Sequence, residues 1–498
     1  MFKLDELGSE IAQISIPAAL ALAADPVASL VDTAFIGRIG AVELAAVGVS
    51  IAVFNQLSKV AIYPLLSVTT SFVAEESASC KVSQNEKSNQ EEEEEDLENK
   101  AGDGEVRQTR EVERAFVSSG KSKEDGKVAD TKMTKNKKAK MKYIPSVSSS
   151  MIVGLFLGIL QTILLIFSAK YILNLMGVKS NSPMMAPAYK YLRLRAIGAP
   201  AILLSLAIQG VFRGFKDTKT PLYATVTGDL VNIILDAVFI LGLRWGVSGA
   251  AISHVISQYL ISLLLLLKLA KMVQFVPSSI HDLEFSRFLK CGFLLLARVI
   301  AVTFCVTLSA SLAARHGPIP MAAFQICLQL WLSTSLLADG LAVAGQTILA
   351  TAFAKGENDI SVAASSRVLQ LSTVLGLGLT LILGVFMEFG MAVFTKDPEV
   401  IKLVKISIPF VAGTQIINSM AFVFDGINFG ASDYIYSAYS METVAIVSVT
   451  CLFLLDHTLG FIGIWSALVI YITLRALAGI WRMGAACGPW SFLRHFDR

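Results

Sequence analysis

Apolar residues run along this chain in long uninterrupted blocks. A helix needs about 20 predominantly apolar residues to cross a hydrocarbon layer of ~30 Å. Twelve stretches reach that length, at 12–36, 45–74, 147–174, 186–212, 219–242, 247–270, 286–313, 318–353, 363–393, 400–425, 433–457 and 460–483. The pattern predicts an all-α polytopic membrane protein with twelve transmembrane helices. Pro17, Pro26, Pro64, Pro200, Gly345, Gly376 and Pro409 fall inside these blocks. Membrane helices tolerate such breaks where neighbouring helices or water satisfy the freed backbone groups.

One polar interruption is different in kind. Residues 77–145 hold 15 of the 42 Lys/Arg and 15 of the 39 Asp/Glu, with an acidic run at Glu91–Asp96 and a basic cluster at Lys132–Lys142. So dense a charge cannot repay chain ordering, and a disordered cytoplasmic loop is expected. Its basic end suits a regulatory contact with anionic membrane lipid. Outside it, 27 basic and 24 acidic residues serve 429 positions. A soluble domain carries about 25% charged residues, against 16% for this whole chain.

The remaining composition removes other classes. A formal charge of +3 with no clear basic face argues against a nucleic-acid partner. Six scattered Cys without CxxC spacing predict neither a disulfide framework nor a metal site. The five His form no ligand pair or triad, no dinucleotide fingerprint is present, and Gly120-Lys121-Ser122 lacks the rest of a phosphate loop. No cofactor and no enzyme activity are expected. Met1–Glu10 is polar and acidic, so the first apolar block reads as an uncleaved membrane helix.

Basic residues gather in the loops at Arg213–Lys219, Lys268–Lys290 and Lys355–Arg367. That bias places both termini and 77–145 in the cytoplasm. Two halves recur along the chain. Ala45-Ala46-Val47 lines up with Ala322-Ala323-Phe324 at an offset of 277, and Gly214 before Asp217 resembles Gly426 before Asp433. The expected organisation is 1–76 (two helices of the first lobe), the 77–145 loop, 146–271 (its other four), a 272–290 linker, a six-helix lobe at 291–485 and a tail at 486–498. Paired bundles of this kind place a substrate site at their interface.

Ionisable residues inside apolar blocks are the sharpest functional signal, because inserting each costs about 2.5–3.5 kcal/mol. Asp25 and Asp32 lie two turns apart in the first block, one on each side of the kink expected at Pro26. Asn232 and Asp236, spaced i and i+4, share one face of the fifth, with Asp229 one turn away. Buried carboxylates beside an amide are candidates for exchanging H⁺, or for contributing ligands to Na⁺. In the second half, Gln325, Gln329 and Ser333 form a polar stripe, and Arg298 lies deep in the seventh block. With Lys59 in the second block, Arg298 suits carboxylate recognition.

Three motifs stand out: Val31-Asp32-Thr33-Ala34-Phe35-Ile36-Gly37, Leu44-Ala45-Ala46-Val47-Gly48, and the block Phe212-Arg213-Gly214-Phe215-Lys216-Asp217-Thr218-Lys219-Thr220-Pro221. Together they resemble the multidrug and toxic compound extrusion (MATE) family. Within that block Arg213, Gly214, Asp217, Thr218 and Pro221 make the specific pattern. The resemblance implies two six-helix lobes round a V-shaped cavity and export by H⁺ or Na⁺ antiport, with Asp32, Asn232 and Asp236 as coupling residues. The long charged loop after the second helix is similar to that of plant citrate exporters of this family. It implies citrate or another small organic anion as cargo and the plasma membrane as location. A broad exporter of cationic or neutral drugs and a membrane scaffold using 77–145 as a binding tail remain open readings.

Overall fold

The computed structural model describes residues 6–40, 42–59, 61–62, 65–79, 142–176, 178, 180–274, 285–390 and 397–495. Most of the 77–145 loop and residues 275–284 of the expected linker lie outside the described residues. The first half contains α1 (Glu6–Gly37), α2 (helical residues 42–59 and 65–79), α3 (Pro145–Leu175), α4 (Met185–Ala196), α5 (Ala199–Gly214), α6 (Lys219–Asp236) and α7 (Val247–Leu269). The second contains α8 (Phe285–Arg315), α9 (Pro318–Lys355), α10 (Asn358–Phe389), α11 (Pro398–Val411), α12 (Gln415–Gly430), α13 (Tyr434–Leu459) and α14 (Phe461–Gly484).

Nine of these helices are individually long and apolar enough to span a membrane, among the described residues. Two bent pairs add the fourth and tenth spans: α4 meets α5 at 46° and α11 meets α12 at 54°. With α2, the order matches the twelve apolar blocks. Sequence patterning had read each bent pair as one continuous block. The breaks have local causes. Pro200 stands in the first turn of α5, where its missing N–H is no loss. Pro409 lies inside α11 and withholds a backbone donor near the helix end.

The two halves repeat one another in turn geometry. Lys216 has φ 64° and Ser432 has φ 53°, each after the second helix of a bent pair. The N–H of Asp217 donates to Phe212 O at 2.9 Å, and that of Asp433 to Asn428 O at 2.9 Å. Gly430 is therefore the counterpart of Gly214, and not Gly426 as the spacing had suggested. Gly246 (φ 58°, ψ −137°) and Gly460 (φ 57°, ψ −131°) both precede the last helix of their half. That backbone region is strained for any residue bearing a Cβ.

Outward-facing apolar side chains such as Phe167, Leu381 and Trp481 cover the perimeter. Lipid is the solvent that such a surface requires. The expected tail instead folds back: Gly488–His495 form a 3₁₀ helix whose Trp490 is fully buried against Phe353, ring centroids 5.2 Å apart.

Candidate functional site

Helices α1, α4, α6 and α7 bring an acidic cluster together inside the first half. Asn232 Nδ2 donates to Asp32 Oδ1 at 2.7 Å. Asp236 lies one turn beyond Asn232 on α6, close to Asp32. The Ser253 hydroxyl on α7 donates to Asp236 Oδ1. Asn232 and Asp236 are buried, and Asn232 Oδ1 and Asp236 Oδ2 have no hydrogen-bond partner among the described residues. The i, i+4 spacing on α6 does place both side chains on the face that meets α1.

Around this core stand Asp25, Asp229 and one cation, Arg195. Arg195 donates to the Tyr191 hydroxyl at 2.9 Å and lies 5.1 Å from the Phe54 ring centroid. Four carboxyls thus gather in this half, with Arg195 as the cation acting on Asp25 and Asp32 among the described residues. Such a group cannot hold every negative charge at low cost, and an added H⁺ or Na⁺ offsets the excess.

A second polar site lies between the halves. It is a cavity of about 280 Å³ walled by Gln56, Lys59, Ser67, Thr70 and Arg213 from the first half, and by Arg298, Asp339, Gln346, Asp425 and Arg475 from the second. Among the described residues, four cations face two acids there, a formal excess of two positive charges. Asp425 Oδ2 accepts hydrogen bonds from Arg298 Nη2 and from Arg475 Nη2 and Nε, the last at 3.0 Å. Arg298 also donates to Ser437 Oγ at 2.6 Å and stacks 5.2 Å from the Phe429 centroid, while Arg475 lies 4.4 Å from that of Phe422.

Contacts between the halves gather at one end of the spans. Ile11, Ile14 and Ala18 of α1 share a core with Leu341, Ala344 and Ile348 of α9, Phe424 of α12 and Trp490. Phe72 meets Phe288 and Tyr434 edge-on. Gln346 Nε2 donates to Ser67 O and Ser71 Oγ, both at 2.8 Å, and Arg287 pairs with Glu75 at 2.8 Å. Gly340 leaves no room for a Cβ against Ala19. Clusters built on the opposite ends of α2 and α9 stay within a single half, among the described residues. The contacts that seal the cavity therefore lie on the side of the N-terminus and of the α2 and α9 C-termini.

The residues singled out from sequence divide between these places. Asp32, Asn232 and Asp236 meet in the acidic cluster; Lys59 and Arg298 face each other's half across the cavity. Gln325, Gln329 and Ser333 are exposed on α9 and do not line the cavity: Gln325 and Gln329 lie nearer the α9 N-terminus than the lining residue Leu332, and Ser333 follows Leu332 directly. The Arg213–Pro221 motif builds the α5–α6 turn. Asp217 accepts from Thr220 N at 3.0 Å and from its hydroxyl at 2.6 Å, and Thr218 Oγ1 donates to Ile14 O at 2.9 Å, tying the turn to α1. Pro221 sits in the first turn of α6, and Gly214 lets α5 approach Thr70 and Val73 of α2. Arg213 leaves the turn and enters the cavity wall.

Sequence reasoning missed Arg475, Asp425 and Arg195. Each is a charge within or at the edge of an apolar helix, the same signal that exposed Arg298.

Comparison with known proteins agrees with this architecture. The MatE family description matches residues 136–238 and 295–454. Protein DETOXIFICATION 42 of Arabidopsis thaliana is 58% identical over 495 residues, covering 99% of this chain and 95% of the relative. Protein DETOXIFICATION 44, chloroplastic, of the same plant is 42% identical, covering 98% and 85%. A MOP superfamily transporter from Pyrococcus furiosus superposes with a TM-score of 0.77 at 19% identity, over 98% of this chain and 97% of that one. The chain belongs to the MATE family of multi-pass membrane proteins, which are secondary active transporters and not enzymes.

Proposed function

We propose that this protein exports citrate or a similar small organic polyanion by proton antiport, through alternating access of its two six-span halves. The lining of the interlobe cavity carries the reading. Lys59, Arg213, Arg298 and Arg475 outnumber Asp339 and Asp425 there. In a wall of low dielectric, that balance attracts a multiply charged anion and repels an organic cation. The arginines add a planar fork that matches carboxylate geometry. The likeness to plant citrate exporters supports citrate within that class.

Asp32, Asn232 and Asp236 are the coupling residues in this reading. Protonation of their cluster from outside changes the balance between the two access states, and the differing proton affinities of those states couple H⁺ entry to anion exit. Gln325, Gln329 and Ser333 line the approach along α9. Both termini and 77–145 lie in the cytoplasm of a plasma-membrane protein, so the sealed side is the cytoplasmic one.

Radiolabelled citrate flux in proteoliposomes, under an imposed pH gradient or an imposed Na⁺ gradient, tests the proposal. Flux driven by the pH gradient alone is expected. Flux driven only by Na⁺ would reassign the coupling ion, and absence of citrate flux under both would overturn the function.

A further inference from the structure

The Arg298–Asp425–Arg475 triad carries a deeper inference, which rests on the anion-export reading above. We propose that Asp425 is a built-in competitor for the substrate: its carboxylate occupies the two arginines in the empty transporter, and a substrate carboxylate displaces it.

Three observations support this. First, the arginines and the acid lie on the cavity lining itself, so an anion entering the cavity reaches them directly. Second, one carboxylate serves both cations. The contacts of Asp425 with them converge on Oδ2, and Arg298 and Arg475 come from different helices, α8 and α14. Third, each guanidinium has a contact besides Asp425. Arg298 is fixed by Ser437 on α13 and by the Phe429 ring, and Arg475 lies over the Phe422 ring. Arg298 in particular keeps hydrogen-bond partners that hold it for a carboxylate when its internal anion leaves.

The exchange conserves the number of ion pairs. On binding, a substrate carboxylate replaces Asp425 at Arg298 and Arg475, and Asp425 turns into the hydrated cavity. On release, Asp425 returns and evicts the anion. An internal competitor weakens binding and hastens release, which suits an exporter that must let go of its cargo. A merely structural acid, one that orients the arginines, predicts the opposite effect on affinity.

The test measures citrate transport by Asp425→Asn in proteoliposomes, with citrate-dependent thermal stabilisation of the purified full chain as a second readout. Competition predicts that KM falls by about tenfold, with a comparable fall in maximal rate as release slows. It also predicts larger stabilisation by citrate than in the parent protein. An unchanged or raised KM would overturn the proposal. Should Asp425→Asn fail to fold with two unpaired arginines, Arg475→Gln and the double variant Arg475→Gln/Asp425→Asn decide. The double variant keeps the net charge of the original triad. Its KM should be lower than that of Arg475→Gln alone; an equal or higher KM rejects competition. Citrate flux in the parent protein separates the two failures. If the parent carries no organic anion at all, the functional reading fails; if it carries citrate while both comparisons show no drop in KM, only the role of Asp425 fails.

Discussion

Asn232 Nδ2 donates a 2.7 Å hydrogen bond to Asp32 Oδ1, joining α6 to α1 inside the first half. The bond needs no charge on the partner amide and leaves Asn232 Oδ1 and Asp236 Oδ2 without donors among the described residues. A proton arriving at the carboxyl pair finds an acceptor already oriented.

Replacing Asp32 by Asn keeps the shape and removes the exchangeable proton. Citrate flux driven by a pH gradient should fall by about tenfold or more, because the coupling free energy between proton and cargo is lost. Citrate-dependent thermal stabilisation should persist, since Asp32 is not on the cavity lining. Full pH-driven transport by this variant would remove Asp32 from the coupling role.

The sealed end of the cavity depends on Gln346, which spans the halves through Ser67 and Ser71. Gln346→Ala removes two hydrogen bonds worth about 1 kcal/mol each. The balance should move toward the state open on that side by roughly 5- to 30-fold. Labelling of a Ser67→Cys reporter by a membrane-impermeant thiol reagent, applied from the sealed side, should rise accordingly. Labelling that stays at the parent level would show that the contact does not hold the seal.

How much of this was legible beforehand depended on the range of each signal. Apolar block length is local, and it marked every span. The i, i+4 pair at Asn232 and Asp236 is also local, and it placed both side chains on one helix face. Their meeting with Asp32 is a contact between distant segments, which spacing alone does not reveal; the family motif carried that expectation. Arg475 and Asp425 went unmarked although each, like Arg298, is a charged residue in an apolar block. Their significance lies in pairing across α8, α12 and α14, a tertiary relation. The Gly214–Gly426 alignment failed for a similar reason, since the turn at Ser432 and not residue identity fixes the register. Arg213 was read with its turn because its neighbours Asp217 and Thr218 are turn-forming, while its own side chain leaves that turn for the cavity.

Gly460 adopts φ 57° and ψ −131° at the start of α14, a conformation costly for residues bearing a Cβ. Gly460→Ala should cost about 1–3 kcal/mol of stability. Gly246→Ala, at the matching position before α7, should behave alike. Thermal unfolding of the detergent-purified protein checks both. Equal melting temperatures for parent and variants would contradict the strain assigned to these turns.

Arg298 and Lys59 should differ in their contributions to cargo binding. Arg298 is buried and bonded to Ser437 and Asp425, whereas Lys59 is exposed to the cavity. Arg298→Ala should raise the citrate KM by about tenfold or more, with Arg298→Lys recovering part of the loss, since lysine keeps the charge and lacks the fork. Lys59→Ala should raise it by about two- to fivefold, as expected of a more hydrated charge. Citrate titrations of transport rate in each variant give the comparison. Unchanged KM in Arg298→Ala would exclude Arg298 from the substrate site.

Four cations facing two acids, among the described residues, make the cavity select an anion. Flux of labelled citrate and of a labelled quaternary ammonium cation, measured side by side in proteoliposomes of the parent protein, tests it most directly. Citrate should cross, and the cation should neither cross nor compete. Transport of the cation, with citrate excluded, would contradict the claim.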